Sequence, residues 1–192
     1  YSAHGQPDGR DRRLRDGIGP CADLAGGEIL EPTSPRLTAS PGTYGLILRL
    51  AHTTRCTIGA LGEHTLPPGP YCYVGSAWGP GGLQARVSRH LRGDGVVRWH
   101  IDYLRRIAEP AAVWLAPAAR LECTWAAYLE AEPNIEITVP RFGASDCTCA
   151  AHLFHFTTGD PTVLELPGEP HLLRIMREGQ FKDKDSAVLR SD

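Results

Sequence analysis

The chain has 192 residues and a formal net charge of −2, with a sequence pI of about 6.5. A histone-like or bulk polyanion binder is excluded, and any nucleic-acid contact is left to a local patch. No apolar run approaches the ~20 residues of a membrane span. The opening run YSAHGQPDGRDRRLRDG carries no apolar signal stretch, so a cytoplasmic protein without membrane contact is expected.

In chain order, residues 1–40 are rich in Gly, Pro, Arg and Asp and lack hydrophobic periodicity. Such a stretch cannot bury enough apolar surface to offset chain entropy, so a disordered arm or linker is expected. A folded domain is expected over residues 41–157. It opens with a strand in which Tyr44, Leu46, Leu48 and Leu50 alternate with Gly45, Ile47 and Arg49. Cys56 to Leu61 reads as a second strand, and Tyr71 to Ser76 as a third after the turn LPPGP. Gly-Pro-Gly-Gly at Gly79 to Gly82 then starts a helix with Leu83, Val87 and Leu91 on one stripe. Trp99 to Ile107 reads as a helix, Ala111 to Ala116 as a strand, and Leu121 to Ala131 as a helix. HLFHF, ending at Phe156, suggests a last strand. Residues 158–192 are expected to be a polar tail, with a short helix at His171 to Met176. The order predicts an α/β (α+β) fold, a small and largely antiparallel sheet flanked by helices.

Gly42-Thr43-Tyr44 and Tyr73-Val74-Gly75, followed by Arg86 and His90, are the informative pattern. Together they offer two phenols, a guanidinium and an imidazole, a set suited to attacking a phosphodiester. Arg86 and His90 lie four apart on one helix, so they share a face. That face is offset by about 100° from the apolar stripe, which puts them at the edge of the core. Arg86 can clamp phosphate oxygens by charge-assisted hydrogen bonds. His90 can orient water or move a proton near neutral pH. A free phenol, with a pKa near ~10, is a poor base unless a cation lowers it.

The runs GTYGLILRL, YCYVGSAWGPGGLQARVSRHL, RWHIDYL, LECTWAAYL and VPRFGASDCTCAAHLFHF resemble the GIY-YIG nuclease superfamily. They are most similar to its branch often found fused to endonuclease III-like repair proteins. The resemblance implies a GIY-YIG-like fold and a metal-dependent endonuclease in DNA repair or processing. Tyr44 would then stand beside the attacking water and Tyr73 near the phosphate. It also implies one carboxylate on a late helix, the place of Glu122, holding a single Mg²⁺ or Mn²⁺ ion. His100 falls near a further histidine of such nucleases, with helix capping or packing as the alternative role. Their late polar residue, commonly Asn, has no matching motif here; Asn134 and Asp146 are the nearest polar residues.

Arg86, Arg89 and His100, with Trp78, Trp99 and Tyr103 interleaved, form the candidate nucleic-acid surface, for DNA more than RNA. A repair protein is the expected partner. Cys147, Cys149 and His152, with His155 and Cys123 as further candidates, have the donor types of a zinc site. On a strand, however, His152 and His155 would face opposite ways. Buried thiols are therefore the favoured reading, with zinc an alternative. Two rival functions follow: a nucleic-acid-binding module without cleavage that serves a repair partner, and an interaction domain built on a Cys/His metal site.

Overall fold

The computed structural model describes residues 37–93 and 96–175. Eight strands and three helices follow in the order β1 (Gly42–Leu50), β2 (Thr54–Thr57), β3 (Glu63–Leu66), β4 (Gly69–Ser76), α1 (Gly82–Arg92), α2 (His100–Leu104), β5 (Glu109–Pro117), α3 (Glu122–Ala131), β6 (Ile135–Glu136), β7 (Leu153–Phe156) and β8 (His171–Arg174). Six strands form one sheet in the order β6-β7-β4-β1-β5-β8, and each neighbouring pair is antiparallel. β2 and β3 make a separate hairpin. This is the α+β architecture expected from the order of elements.

β1 lies at the centre and is buried on both faces, only Arg49 reaching solvent. Tyr44, Leu46, Leu48 and Leu50 pack on one face with Leu83 and Val87 of α1 and Ile101 and Leu104 of α2. Ile47 packs on the other with Trp114 of β5 and Trp125 and Leu129 of α3. The two-residue period of the strand thus serves two cores at once. α1 is bounded by Gly81 and Gly93, both left-handed, and its Leu83 and Val87 stripe is buried. No helix among the described residues is long and apolar enough to cross a membrane.

Four expectations need correction. Cys56 to Leu61 is not one strand, because the chain leaves β2 and turns through a 3-10 helix at Gly59–Leu61 before returning as β3. The Ile58 N–H closes that turn on the Gly62 carbonyl at 2.9 Å. The second helix is also shorter than expected, ending at Leu104. The tail expected from residue 158 continues the fold to residue 175. Leu166 is buried beneath α3, and the Trp125 indole N–H donates to the Pro167 carbonyl at 2.8 Å. The expected helix at His171 is strand β8, paired with β5. Leu172 and Leu173 alternate between the two cores, a strand period that a short window disguised. At the other end, the Thr38 and Ser40 carbonyls cap α1 by accepting from the Gln84 and Leu83 N–H groups. Of the arm expected over residues 1–40, residues 1–36, including Arg10, Arg12, Arg13 and Arg15, lie outside the described residues, as does the chain beyond 175.

Candidate active-site cleft

The two phenols are brought together by the β1–β4 register, in which Tyr44 pairs with Gly75 and Leu46 with Tyr73. Their rings lie 6.2 Å apart at 59°. Glycine makes room for each. A Cβ at Gly75 would sit 2.5 Å from the Tyr44 ring and hydroxyl, and one at Gly143 would sit 2.9 Å from the Tyr73 ring. No side chain fits at either position without displacing a phenol.

α1 supplies the next two groups. His90 is 2 % exposed, so it is a buried residue and not one at the edge of the core, and its Nε2 meets the Tyr44 hydroxyl at 2.9 Å. Its Nδ1 faces Asp102 Oδ1 at 3.7 Å, an ion-pair rather than a hydrogen-bond distance. Asp102 is held by Arg89 Nη1 and Nη2, which donate at 2.8 and 3.1 Å. The Arg98 and Trp99 backbone N–H groups also donate to it, at 2.8 and 3.1 Å. Arg105 closes the back of the site by donating from Nε to the His90 carbonyl at 2.6 Å. Arg86 and Arg89 both lie over the Trp99 ring, 4.1 and 4.4 Å from its centroid.

This environment sets the protonation states. Burial, reinforced by Arg89, Arg86 and Arg105 and opposed by Asp102, lowers His90 to about 4, so it is neutral at neutral pH. Burial first, then Tyr73, raises Tyr44 well above the ordinary phenol range, against a lowering by Arg86. Burial and then Glu122 raise Tyr73 as well. Burial alone would raise Asp102, but its hydrogen bonds from Arg89, Arg98 and Trp99 bring it below its usual value.

Tyr44, Tyr73, Arg86, His90 and Glu122 line one cleft of about 330 Å³, and His100 is on its wall. Arg89 is absent from that lining, and its donors turn to Asp102 and the Val96 carbonyl. His100 Nδ1 accepts from the Gly143 N–H at 3.0 Å, so it fixes the loop that makes room for Tyr73. Arg98, part of the arginine-rich run around Trp99, also lines the cleft, as do Ser76, to which sequence reasoning assigned no role, Ser145, and Asp146, the last named only as a polar residue near the unmatched Asn. The run GASDC carried the signal for the last two, since small and polar residues between two expected elements mark a loop.

Next to the cleft, Cys123 of α3 meets Cys147, Cys149 and His152, their four ligand atoms all within 4.8 Å of one another. Cys147 Sγ lies 3.4 Å from His152 Nε2. The other ring nitrogen, Nδ1, faces Glu122 Oε1 at 3.5 Å. Burial, then hydrogen bonding with Cys123 and Cys147, pushes the Cys149 thiol up to about 12. His155 is elsewhere, its Nε2 3.1 Å from the Pro68 carbonyl and its ring 4.7 Å from that of Tyr71.

No curated protein and no solved structure matches the chain. Residues 43–167 match the family described as Domain of unknown function DUF123, and the chain belongs to that family.

Proposed function

We propose that this protein is a metal-dependent endonuclease of the GIY-YIG type that hydrolyses phosphodiesters, in DNA rather than RNA, during repair or processing. The observation that carries the reading is the 2.9 Å contact between the Tyr44 hydroxyl and His90 Nε2, in a cleft that also holds Arg86 and Glu122. The branch of that superfamily which the chain resembles points to an endonuclease III-like repair protein as its partner.

The chemistry follows from the protonation states. Tyr44 is too buried to exist as a free phenolate, so it serves as a relay. Neutral His90 accepts the Tyr44 proton at Nε2 while the Tyr44 oxygen takes one from the attacking water. Water oxygen bonds to phosphorus and the bond to the leaving oxygen breaks. The imidazolium formed faces Asp102, whose carboxylate is kept ionised by Arg89. Arg86, from the cleft wall, matches the charge spreading over the phosphate oxygens. Its position over the Trp99 ring helps to hold the guanidinium at the cleft wall. Tyr73, beside Tyr44, donates to a non-bridging oxygen.

The cleft also suits a hard divalent cation. Glu122 and Asp146 present carboxylates to one space roomy enough for a hydrated ion. Glu122 would hold Mg²⁺ or Mn²⁺, with Asp146 on the same wall, and the ion would stabilise the leaving oxygen.

The test is a cleavage assay on supercoiled, branched and single-stranded DNA and on matched RNA, with Mg²⁺, Mn²⁺ or chelator. Cation-dependent strand breaks in at least one DNA are expected. Binding without cleavage under every condition would replace the nuclease reading with that of a binding module.

A further inference from the structure

We propose that Cys123, Cys147, Cys149 and His152 hold one zinc ion in a closed, four-ligand structural site. Three thiols and one imidazole are a donor set that selects zinc among common divalent ions. With all four positions filled by protein, such a site braces structure and leaves none open for catalysis. At zinc bond lengths of about 2.3 Å to sulfur and 2.0 Å to nitrogen, a tetrahedron has S···N edges of about 3.5 Å and S···S edges of about 3.8 Å. The Cys147–His152 separation of 3.4 Å already matches the first. The widest pair, at most 4.8 Å, needs to close by about 1 Å, which small side-chain rotations supply.

The surrounding backbone is arranged for this purpose. Arg141 sits at a left-handed φ of 64°, and its guanidinium donates to the Cys149 carbonyl at 2.6 Å and the Cys147 carbonyl at 2.8 Å. The His152 N–H donates to the Phe142 carbonyl at 2.7 Å, and its carbonyl accepts from the Val74 N–H at 2.9 Å. Three of the four ligands are thus fixed by contacts that do not need the metal. His152 is 1 % exposed, and with Nε2 turned to the thiols its Nδ1 faces Glu122. A carboxylate behind a ligating histidine is the usual outer-shell partner that orients the ring, and here the 3.5 Å gap must close slightly for Nδ1 to make that hydrogen bond. His155, the residue that argued against zinc in the sequence, is not needed.

The placement has a consequence for the cleft. Glu122 precedes Cys123, and Asp146 precedes Cys147. One ion joining these cysteines would fix the start of α3 to the 146–152 loop, and with it the spacing of both cleft carboxylates. That consequence rests on the nuclease reading; the zinc site itself does not.

Zinc should be measured in the full chain purified without chelator, by elemental mass spectrometry, alongside a free-thiol count. One zinc per chain is expected. Cys147→Ser and Cys149→Ser should each lose most of it, while Cys56→Ser, on the β2–β3 hairpin, should keep it all. If those variants do not fold, cobalt titration of the metal-stripped parent replaces them. It should give thiolate-to-cobalt absorption and the strong visible bands of a tetrahedral ion. Absence of both zinc and the cobalt spectrum overturns the proposal, as does a disulfide between two of the cysteines in metal-free protein. Because metal content is read without a substrate, these outcomes are independent of whether the protein cuts DNA.

Discussion

The cleft and the thiol cluster share a wall at Glu122, yet they are built in opposite ways. The cleft takes Tyr44, Tyr73, Arg86 and His90 from central strands and a well-capped helix, and packing on two sides dictates where they point. The cluster takes one ligand from the first turn of α3 and three from residues 147–152, which lie outside strands and helices. Its order comes from one arginine and a few backbone hydrogen bonds. A site on rigid elements can hold geometry without a ligand, whereas a site on a loop gains most from an ion that binds it.

What both regions share is α3, and unseating that helix should disturb both of them at once. Trp125 is wholly buried and donates to Pro167, so α3 depends on the chain after residue 158. A chain trimmed to residues 37–175 should keep a cooperative thermal transition. One trimmed to 41–157 should lose it, since it lacks β8 and the cover over Trp125. Equal transitions in the two would show that the last segment is dispensable.

A subtler change separates the regions. Tyr44→Phe removes only the hydroxyl that meets His90 and should lower turnover by about 10²- to 10⁴-fold, the range of general acid–base catalysis. DNA affinity and zinc content should stay as in the parent. Turnover that survives intact would remove Tyr44 from the relay.

Protonation of His90 gives the smallest effect and one confined to the cleft. Its folded pKa of about 4 lies below the ordinary ~6.5, so the unfolded chain binds the extra proton first as pH falls. The folded state should therefore lose stability between about pH 6.5 and 4, by on the order of 3 kcal/mol, and keep a constant contribution above that window. Denaturant unfolding across pH, comparing the parent with His90→Gln, isolates this contribution. A parent slope that matches the variant's would mean that His90 titrates normally.

How much of this was legible in the sequence follows the same division. Arg86 and His90 were readable because the helix period turns a spacing of four into a shared face, and Tyr44 and Tyr73 because the motifs that carry them resemble a known pattern. The burial of His90 was not, since an offset of about 100° from the apolar stripe does not reveal that α2 and Trp99 close over the ring. Arg89 read as a free phosphate contact because its partner Asp102 is on another element. The convergence of the four side chains was not legible because Cys123 lies 24 residues from Cys147, a closure that depends on how α3 docks and leaves no local period. β8 was missed for a similar reason, since four residues with two leucines carry too little pattern to tell edge strand from helix.

The most direct test of the account compares Glu122→Gln with the parent in single-turnover DNA cleavage, with affinity for the same DNA measured in parallel. The substitution keeps the side chain's shape and removes its charge. Cleavage should be abolished while DNA affinity and the folding transition stay close to the parent's. A parent that cuts DNA and a Glu122→Gln variant that cuts equally well would contradict it.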